Sequence, residues 1–408
     1  MSNDPLPHRR SRAQRTAELE VELHSAPPHT HILPRSDGAN LTGVREAVRC
    51  RHLLHPIMFE LAERPRTFSS KTQSAHAKAK FIRKSSIEGR LIMDVSIVIC
   101  TRNRANRLDA MLESLEALRT SCQWEGLLVD NASTDDTPSI LKQIRSKRIR
   151  CIHEPRVGLG AARDGAWRKA RGDIICFTDD DCYPSPDFID AMMLAFAEHP
   201  NAGCIGGRIL LYDHTDAYLA VDYRTEEFKT PPYSFVYPGI LQGANLAFRR
   251  EALEKSGGFD PEMGSGTLYP AEDLEAVAAV IWSGYEAWFD PRPVIYHHHG
   301  RKEADVPATV AGYDRGRGAF YAKFIARPDT KRLFIRKWIT LSKHNPHYPL
   351  LSLIDEIKSA LRYAGQFQGI AAQMRIVGIG AAMLAVYLLS KARLQMISLH
   401  RITRRSTA

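Results

Sequence analysis

The chain has 408 residues, 44% apolar and 25% charged, enough for one large or two modest domains around a buried core. Its seven cysteines, at 50, 100, 122, 151, 176, 182 and 204, form no CxxC pair, so reduced thiols are expected in place of a disulfide framework or a zinc site. The net charge of +10 divides into +7 over residues 1–90, −8 over 91–326 and +11 over 327–408. An acidic centre with basic ends suits an anionic membrane surface or nucleic acid, unless the ends are simply solvated tails.

Residues 1–90 form a basic extension that begins MSNDPLPHRRSR, with no apolar run behind its arginines, so no secretory leader is expected. Residues 1–40 are rich in Arg, Pro, Ser and His and are expected to be disordered. A short helix over 44–63, interrupted at Pro56, and a basic linker over 64–90 follow.

The ordered region is expected to span 91–326. VSIVIC (95–100) reads as a buried strand, followed by a helix with Leu108, Met111, Leu112, Leu115 and Leu118 on one face. Gly126–Asp130 is a second strand, and Asp135, Asp136 and Pro138 open a helix running to about Lys147. Ile149–His153 is a third strand, Gly158–Ala170 a loop and helix, and Ile174–Phe177 a fourth strand. Further strands are expected at Cys204–Leu211, Leu241–Arg249, Ala287–Phe289 and Val294–His299, the last two bracketing Pro291 and Pro293. Helices are expected from Glu251 and over Glu272–Ser283. Strands alternating with helices imply an α/β fold: a Rossmann-like open, mostly parallel sheet with flanking helices and right-handed crossovers. Ligands in such sheets bind at the carboxyl ends of the strands, where Thr101–Arg104, Asp130–Asp136 and Asp179–Asp181 all lie.

The chemistry concentrates in Ile174–Pro184, IICFTDDDCYP, where an apolar strand runs straight into three aspartates. Alternation on a strand puts Asp179 and Asp181 on one face and Asp180 on the other. Adjacent carboxylates repel, and a hard divalent cation such as Mg²⁺ or Mn²⁺ relieves them; alone, a solvated acidic turn explains them equally well. Gly158–Arg163 is GxGxxR after the third strand, a tight lead into a helix and not a dinucleotide fingerprint. On the strand expected over Val294–His299, His297 and His299 share a face, where an imidazole suits a transition metal or serves as a structural strand-end residue.

Six segments in order, over Val95–Gly300, resemble the inverting family-2 glycosyltransferases of GT-A fold: VSIVICTRNR, VDNASTDDT, GLGAARDGAWRKARGD, FTDDDCYP, GANLAFRREALEKSGGFDP and AED. Asp164 stands where the family usually has Asn. The resemblance implies a metal-dependent enzyme moving one sugar from a nucleotide-diphospho-sugar to a hydroxyl acceptor. It assigns the metal to Asp181 and Asp179, with His299 favoured over His297 as a further ligand. It places the nucleotide among Thr101, Asn103, Arg104, Asp130, Asp135, Arg163, Asp179 and Asp180, Arg163 either meeting phosphate or holding Asp164. Asp273 is the candidate base, with Glu272 as neighbour or stand-in. Arg315 and Arg317 either screen the diphosphate or form a plain basic face. The Q-x-x-R-W signature of polysaccharide synthases is absent at Ile335–Trp338, which argues for single addition.

Rival readings are a nucleotidyltransferase and a degenerate carbohydrate- or nucleotide-binding module; no aromatic-interleaved basic motif supports nucleic acid. Residues 327–408 are expected to be basic and helical, with Ile376–Leu389 a fourteen-residue uncharged run, short of the ~20 residues of a membrane span. Docking on an anionic leaflet fits it best, ahead of a helix packed on the core or a true span, and would place the protein in the cytoplasm, at the inner face of the membrane, with a glycan or lipid-linked acceptor of envelope or exopolysaccharide synthesis.

Overall fold

The computed structural model describes residues 93–344 and 349–406; the expectations for residues 1–90 lie outside the described residues. Strands β1 (Val95–Thr101), β2 (Trp124–Asn131), β3 (Ile149–Glu154), β4 (Ile174–Asp179), β5 (Cys182–Pro184), β6 (Ala202–Leu211), β7 (Phe228–Thr230), β8 (Leu246–Arg249) and β9 (Glu286–His297) make one sheet. Helices are α1 (Leu108–Glu116), α2 (Thr137–Leu141), α3 (Leu159–Lys169), α4 (Phe188–Glu198), α5 (Arg250–Ser256), α6 (Glu272–Trp282), α7 (Val306–Ala326), α8 (Lys331–His344), α9 (Leu350–Phe367) and α10 (Ile370–Ser406).

The sheet order is β3-β2-β1-β4-β8-β6-β9-β5, with β7 on β9. Its first half is parallel, as βα alternation dictates, while β8 enters antiparallel between β4 and β6. Alternation along β1 sends Val95, Ile97 and Ile99 into one apolar layer and Val98 into the other. Both faces of the central strands are therefore buried, which explains their unbroken apolar runs.

Three expected elements differ. The helix after Asp136 is a single short turn-and-a-half, because beyond Leu141 the chain is dominated by solvated Lys142, Arg145 and Lys147. The strand expected over Leu241–Arg249 begins only at Leu246, after a 3₁₀ turn at Gly243–Asn245. The two strands expected around Pro291 and Pro293 are one, β9, whose pairing with β6 jumps from Gly206↔Phe289 to Arg208↔Val294. The prolines sit in that bulge, where no ladder N–H is required.

Helices α7 to α9 close over the sheet. Gly316 and Gly318 of α7 have no room for a side chain: a Cβ would lie 2.0 Å from the Pro270 carbonyl and 2.1 Å from that of Glu356. The YDRGRGAF pattern is thus a close-packing device. Trp338 of α8 stacks on Tyr321 at 4.8 Å and donates to Glu356 at 2.7 Å. Arg317 also binds Glu356, at 2.6 Å, so it belongs to this helical interface and not to a diphosphate site. Helix α10 lays Ile376, Met383 and Tyr387 against the same apolar cluster that contains Phe177 of β4.

Candidate functional site

The carboxyl ends of β1, β2 and β4 lie side by side and carry the expected residues. Thr101 ends β1 and donates to Asp180 Oδ2 at 2.6 Å, which turns Asp180 away from its two neighbours. Arg104 lies 3.5 Å from Asp180 and 3.6 Å from Asp181, bridging both. Asn103, at φ 56°, accepts from Thr134 N and so locks the β1 turn to the β2 turn. Asp130 accepts from Ser133 N at 3.1 Å and pairs with His153 Nδ1 at 2.8 Å. Asp135 is a turn residue, accepting from Thr137 N and Ala105 N, and does not join the aspartates of β4.

The three aspartates go separate ways because β4 ends at Asp179. Asp179 meets Arg163, Asp180 meets Thr101, and Asp181 meets His297 Nε2 at 3.3 Å. Asp179, Asp181, Cys182 and His297 nonetheless each offer a ligand atom, all within 4.8 Å of one another. His297 Nδ1 donates to the Ala220 carbonyl at 3.1 Å, which leaves Nε2 facing Asp181. That is how a metal-ligating imidazole is normally oriented, and two carboxylates with one imidazole suit Mg²⁺ or Mn²⁺. The donor set fits such an ion.

His299 does not take part, contrary to expectation. The strand stops at His297, and His299 turns to give its Nε2 to the Ala217 carbonyl while Nδ1 accepts from Arg301 N. Both its nitrogens are in use. Arg163 differs too: it does not hold Asp164, and its guanidinium is given to three protein acceptors. It is 1% exposed and donates to Asp179 Oδ1 (2.9 Å), Glu272 Oε1 (3.1 Å) and the Gly243 carbonyl (3.1 Å). Asp164 is held by Trp167, Arg168 and Phe259 N. Helix α3 can carry Arg163 this deep because Gly160 lets it approach the Asp260 and Met263 carbonyls.

Glu272 is buried against Arg163, whereas Asp273 is only half-buried and accepts from Gly243 N at 2.8 Å. Tyr313 of α7 lies within electrostatic reach of the site: burial raises the pKa of its hydroxyl, Asp273 and Asp179 add to the rise, and Arg301 and His297 oppose it. Nothing in the sequence singles out Tyr313; only the fold of α7 over the sheet brings it there. His297 was legible as a candidate, but the strand's last residue was not.

Burial pushes the Asp180 carboxyl up to about 6, and burial pushes Glu272 up to about 7 against the pull of Arg163. Burial opposes charge on His297, but Cys182 and Asp181 outweigh it and raise its pKa. All three groups hold protons in the folded state that the unfolded chain has already released. Their stabilisation is present below the ordinary values and is lost as pH rises through the folded ones. The metal-free protein is therefore expected to melt at lower temperature as pH rises from about 5 to about 8. Saturating Mn²⁺ should flatten the trend, because a cation beside these carboxylates favours their charged forms. Scanning calorimetry in chelator and in Mn²⁺ checks this; parallel profiles would contradict it.

Residues 96–257 match the family model described as glycosyl transferase family 2. A pre-mycofactocin glycosyltransferase of Mycobacterium tuberculosis is 25% identical over 286 residues, covering 66% of this chain and 57% of that protein. The Escherichia coli UDP-Glc:alpha-D-GlcNAc-diphosphoundecaprenol beta-1,3-glucosyltransferase WfaP is 29% identical over 165 residues, 40% of this chain and 61% of that one. This chain spans less than two thirds of the length of the curated relatives it matches. Among solved structures, Staphylococcus aureus TarS 1–349 superposes with TM-score 0.51 at 16% identity, covering 74% of this chain and 92% of that one.

Proposed function

We propose that the chain, whose residues 96–257 match the glycosyl transferase family 2 model, is a glycosyltransferase that transfers one sugar, with inversion, from a nucleotide-diphospho-sugar to a hydroxyl acceptor. The observation that carries this is the convergence of Asp179, Asp181 and His297 beyond the carboxyl end of β4, with Asp130 near the end of β2 and Asp273 in the first turn of α6. Asp179, Asp181 and His297 would hold Mg²⁺ or Mn²⁺, which when bound supplies Lewis-acid stabilisation of the departing diphosphate. Asp130 lies at the end of β2, where its carboxylate suits a ring N–H of the base. Arg104 spans Asp180 and Asp181 and brings a guanidinium to the same edge.

Asp273 is the group to take the acceptor proton. It is the more exposed of the adjacent pair, and the Gly243 N–H fixes one oxygen while Arg163 restrains Glu272. Attack opposite the departing diphosphate then inverts the anomeric centre. Asp273→Asn should lower kcat about 10²- to 10⁴-fold while leaving nucleotide-diphosphate affinity intact. Calorimetry with UDP, GDP and dTDP, followed by NMR of the product anomer, tests both statements. Retention of configuration, or equal loss of nucleotide binding in Asp273→Asn, would refute the assignment.

The acceptor side is read from α10. Ile370–Lys391 is long and apolar enough to cross a membrane by length and composition, longer than the fourteen residues read from the sequence. One face of it, however, is laid on the protein through Ile376, Gly380, Met383 and Tyr387. That favours docking on a cytoplasmic leaflet over a span, and with it a lipid-linked acceptor.

A further inference from the structure

We propose that the cleft between α7, α9 and the Leu268–Tyr269 segment holds the phosphate of a lipid whose chain runs onto the outer stripe of α10. The inference deepens the transferase reading, on which it rests for linking this phosphate to the acceptor. The cleft encloses about 160 Å³ and is lined by Leu268, Tyr269, Arg315, Asp355, Lys358 and Arg362. Three cations thus face one carboxylate. Lys358 and Arg362 stand one turn apart on α9, a like-charge spacing that costs the helix stability. The Arg315 guanidinium donates to Ala311 O, in its own helix. Among the described residues no carboxylate lies within ion-pair distance of any of the three, whereas Arg317, two positions on, is taken by Asp314 and Glu356. A concave wall of uncompensated cations is a site for an anion.

The walls are fixed. Ser359 Oγ donates to the Arg315 carbonyl at 2.6 Å, tying α9 to α7, and Tyr269 Oη donates to Gln366 at 3.0 Å. Tyr269, Tyr363 and Phe367 then form an aromatic cluster leading out of the cleft. Beyond Phe367 the exposed residues of α10 as far as Leu389 include Ile370, Met374, Val377, Ala381, Ala385 and Leu388 at helical spacing, and none of the exposed residues in that stretch is charged. Ile370 is 78% and Met374 63% exposed. Phosphate-binding chemistry therefore passes directly into hydrocarbon-binding chemistry, which is the profile of an acidic amphiphile. A second copy of the chain would cover the stripe and leave the cations unanswered. The cleft also adjoins the candidate base: Pro270 packs on Gly316 of α7, Tyr313 and Arg315 flank that contact, and Glu272 and Asp273 follow at once.

The test is flotation of the full chain with vesicles of phosphatidylcholine alone, with phosphatidylglycerol, or with a few mole percent of polyprenyl phosphate. Wild type should favour the phosphate-bearing vesicles over neutral ones by at least about tenfold. Arg315→Gln/Lys358→Gln/Arg362→Gln should lose that preference, and Arg315→Lys/Lys358→Arg/Arg362→Lys should keep it. The basic tail is common to all three proteins, so the comparison isolates the cleft. Met374→Glu/Leu388→Glu should weaken binding to every vesicle. Cleft-dependent binding at a few mole percent polyprenyl phosphate assigns the site to an acceptor lipid, and dependence only on abundant phosphatidylglycerol assigns it to the bilayer. Unchanged binding by the glutamine triple variant, or a dimer in sedimentation that hides the stripe, would overturn the proposal. Vesicle binding needs no sugar donor, so failure of nucleotide calorimetry on wild type would sink the transferase mechanism and leave this result standing.

Discussion

Asp181→Ala is expected to lower transferase activity by about a thousandfold, the rate equivalent of the several kcal/mol that a bound cation contributes to a departing diphosphate. The residue has few other duties that could account for such a loss. Its backbone carbonyl accepts from His298 N, a contact the substitution preserves, and among the described residues its side chain has His297 and Arg104 as ion-pair partners, with the Cys182 thiol beside it. The folded protein should survive. Metal-dependent binding of a nucleoside diphosphate should vanish in calorimetry, while the melting temperature in chelator falls by a few degrees, because His297 loses its carboxylate partner. Asp181→Asn should behave similarly, since it keeps the shape and loses the charge. If Asp181→Ala binds nucleotide with unchanged dependence on Mn²⁺, the cation is held elsewhere and the site has been misread.

Arg163 should give the opposite signature, a large effect on folding as well as on activity. Its guanidinium is fully buried between Asp179, Glu272 and the Gly243 carbonyl, with the rings of Phe177 and Phe259 about it. Arg163→Met leaves Glu272 buried with no positive partner, and breaking a buried pair in this way costs about 3–5 kcal/mol. A fall of roughly 10 °C in melting temperature follows at this chain size. Arg163→Lys should not restore it, because a point charge cannot serve three acceptors in one plane. Adding Glu272→Leu to Arg163→Met removes the orphaned carboxyl and should recover most of the stability while activity stays low. A single variant melting within a degree or two of wild type would show that Arg163 is dispensable to the fold.

These two residues also mark how far the sequence could be read. Asp181 was legible because a strand running into aspartates is a local pattern, and its neighbours Thr101 and Asp130 end strands of the same kind. Arg163 was visible only as one charge in a glycine-rich segment. Its role depends on Glu272, over a hundred positions away, and no local periodicity reports that pairing. His297 was lost to His299 for a different reason: alternation names a face but not the residue at which a strand ends. Pro291 and Pro293 divided β9 in the reading because proline normally ends a ladder, and a bulge against β6 is a tertiary accommodation. The central sheet needed none of this, since its apolar runs are both the local signal and the buried fact.

The length over which this chain is recognisable differs from the length over which it is cooperative. The stretch that matches the family model occupies residues 96–257, yet Phe177 at the centre of that span belongs to one apolar cluster with Phe334, Trp338, Ala360, Met383 and Tyr387. Helices outside that stretch therefore complete the wall behind the aspartates. An exchange of that stretch alone between homologues would join two half-cores whose side chains were selected against different partners. Substitutions of the cluster residues along α8 to α10 are therefore expected to loosen the packing behind β4 without any contact to substrate.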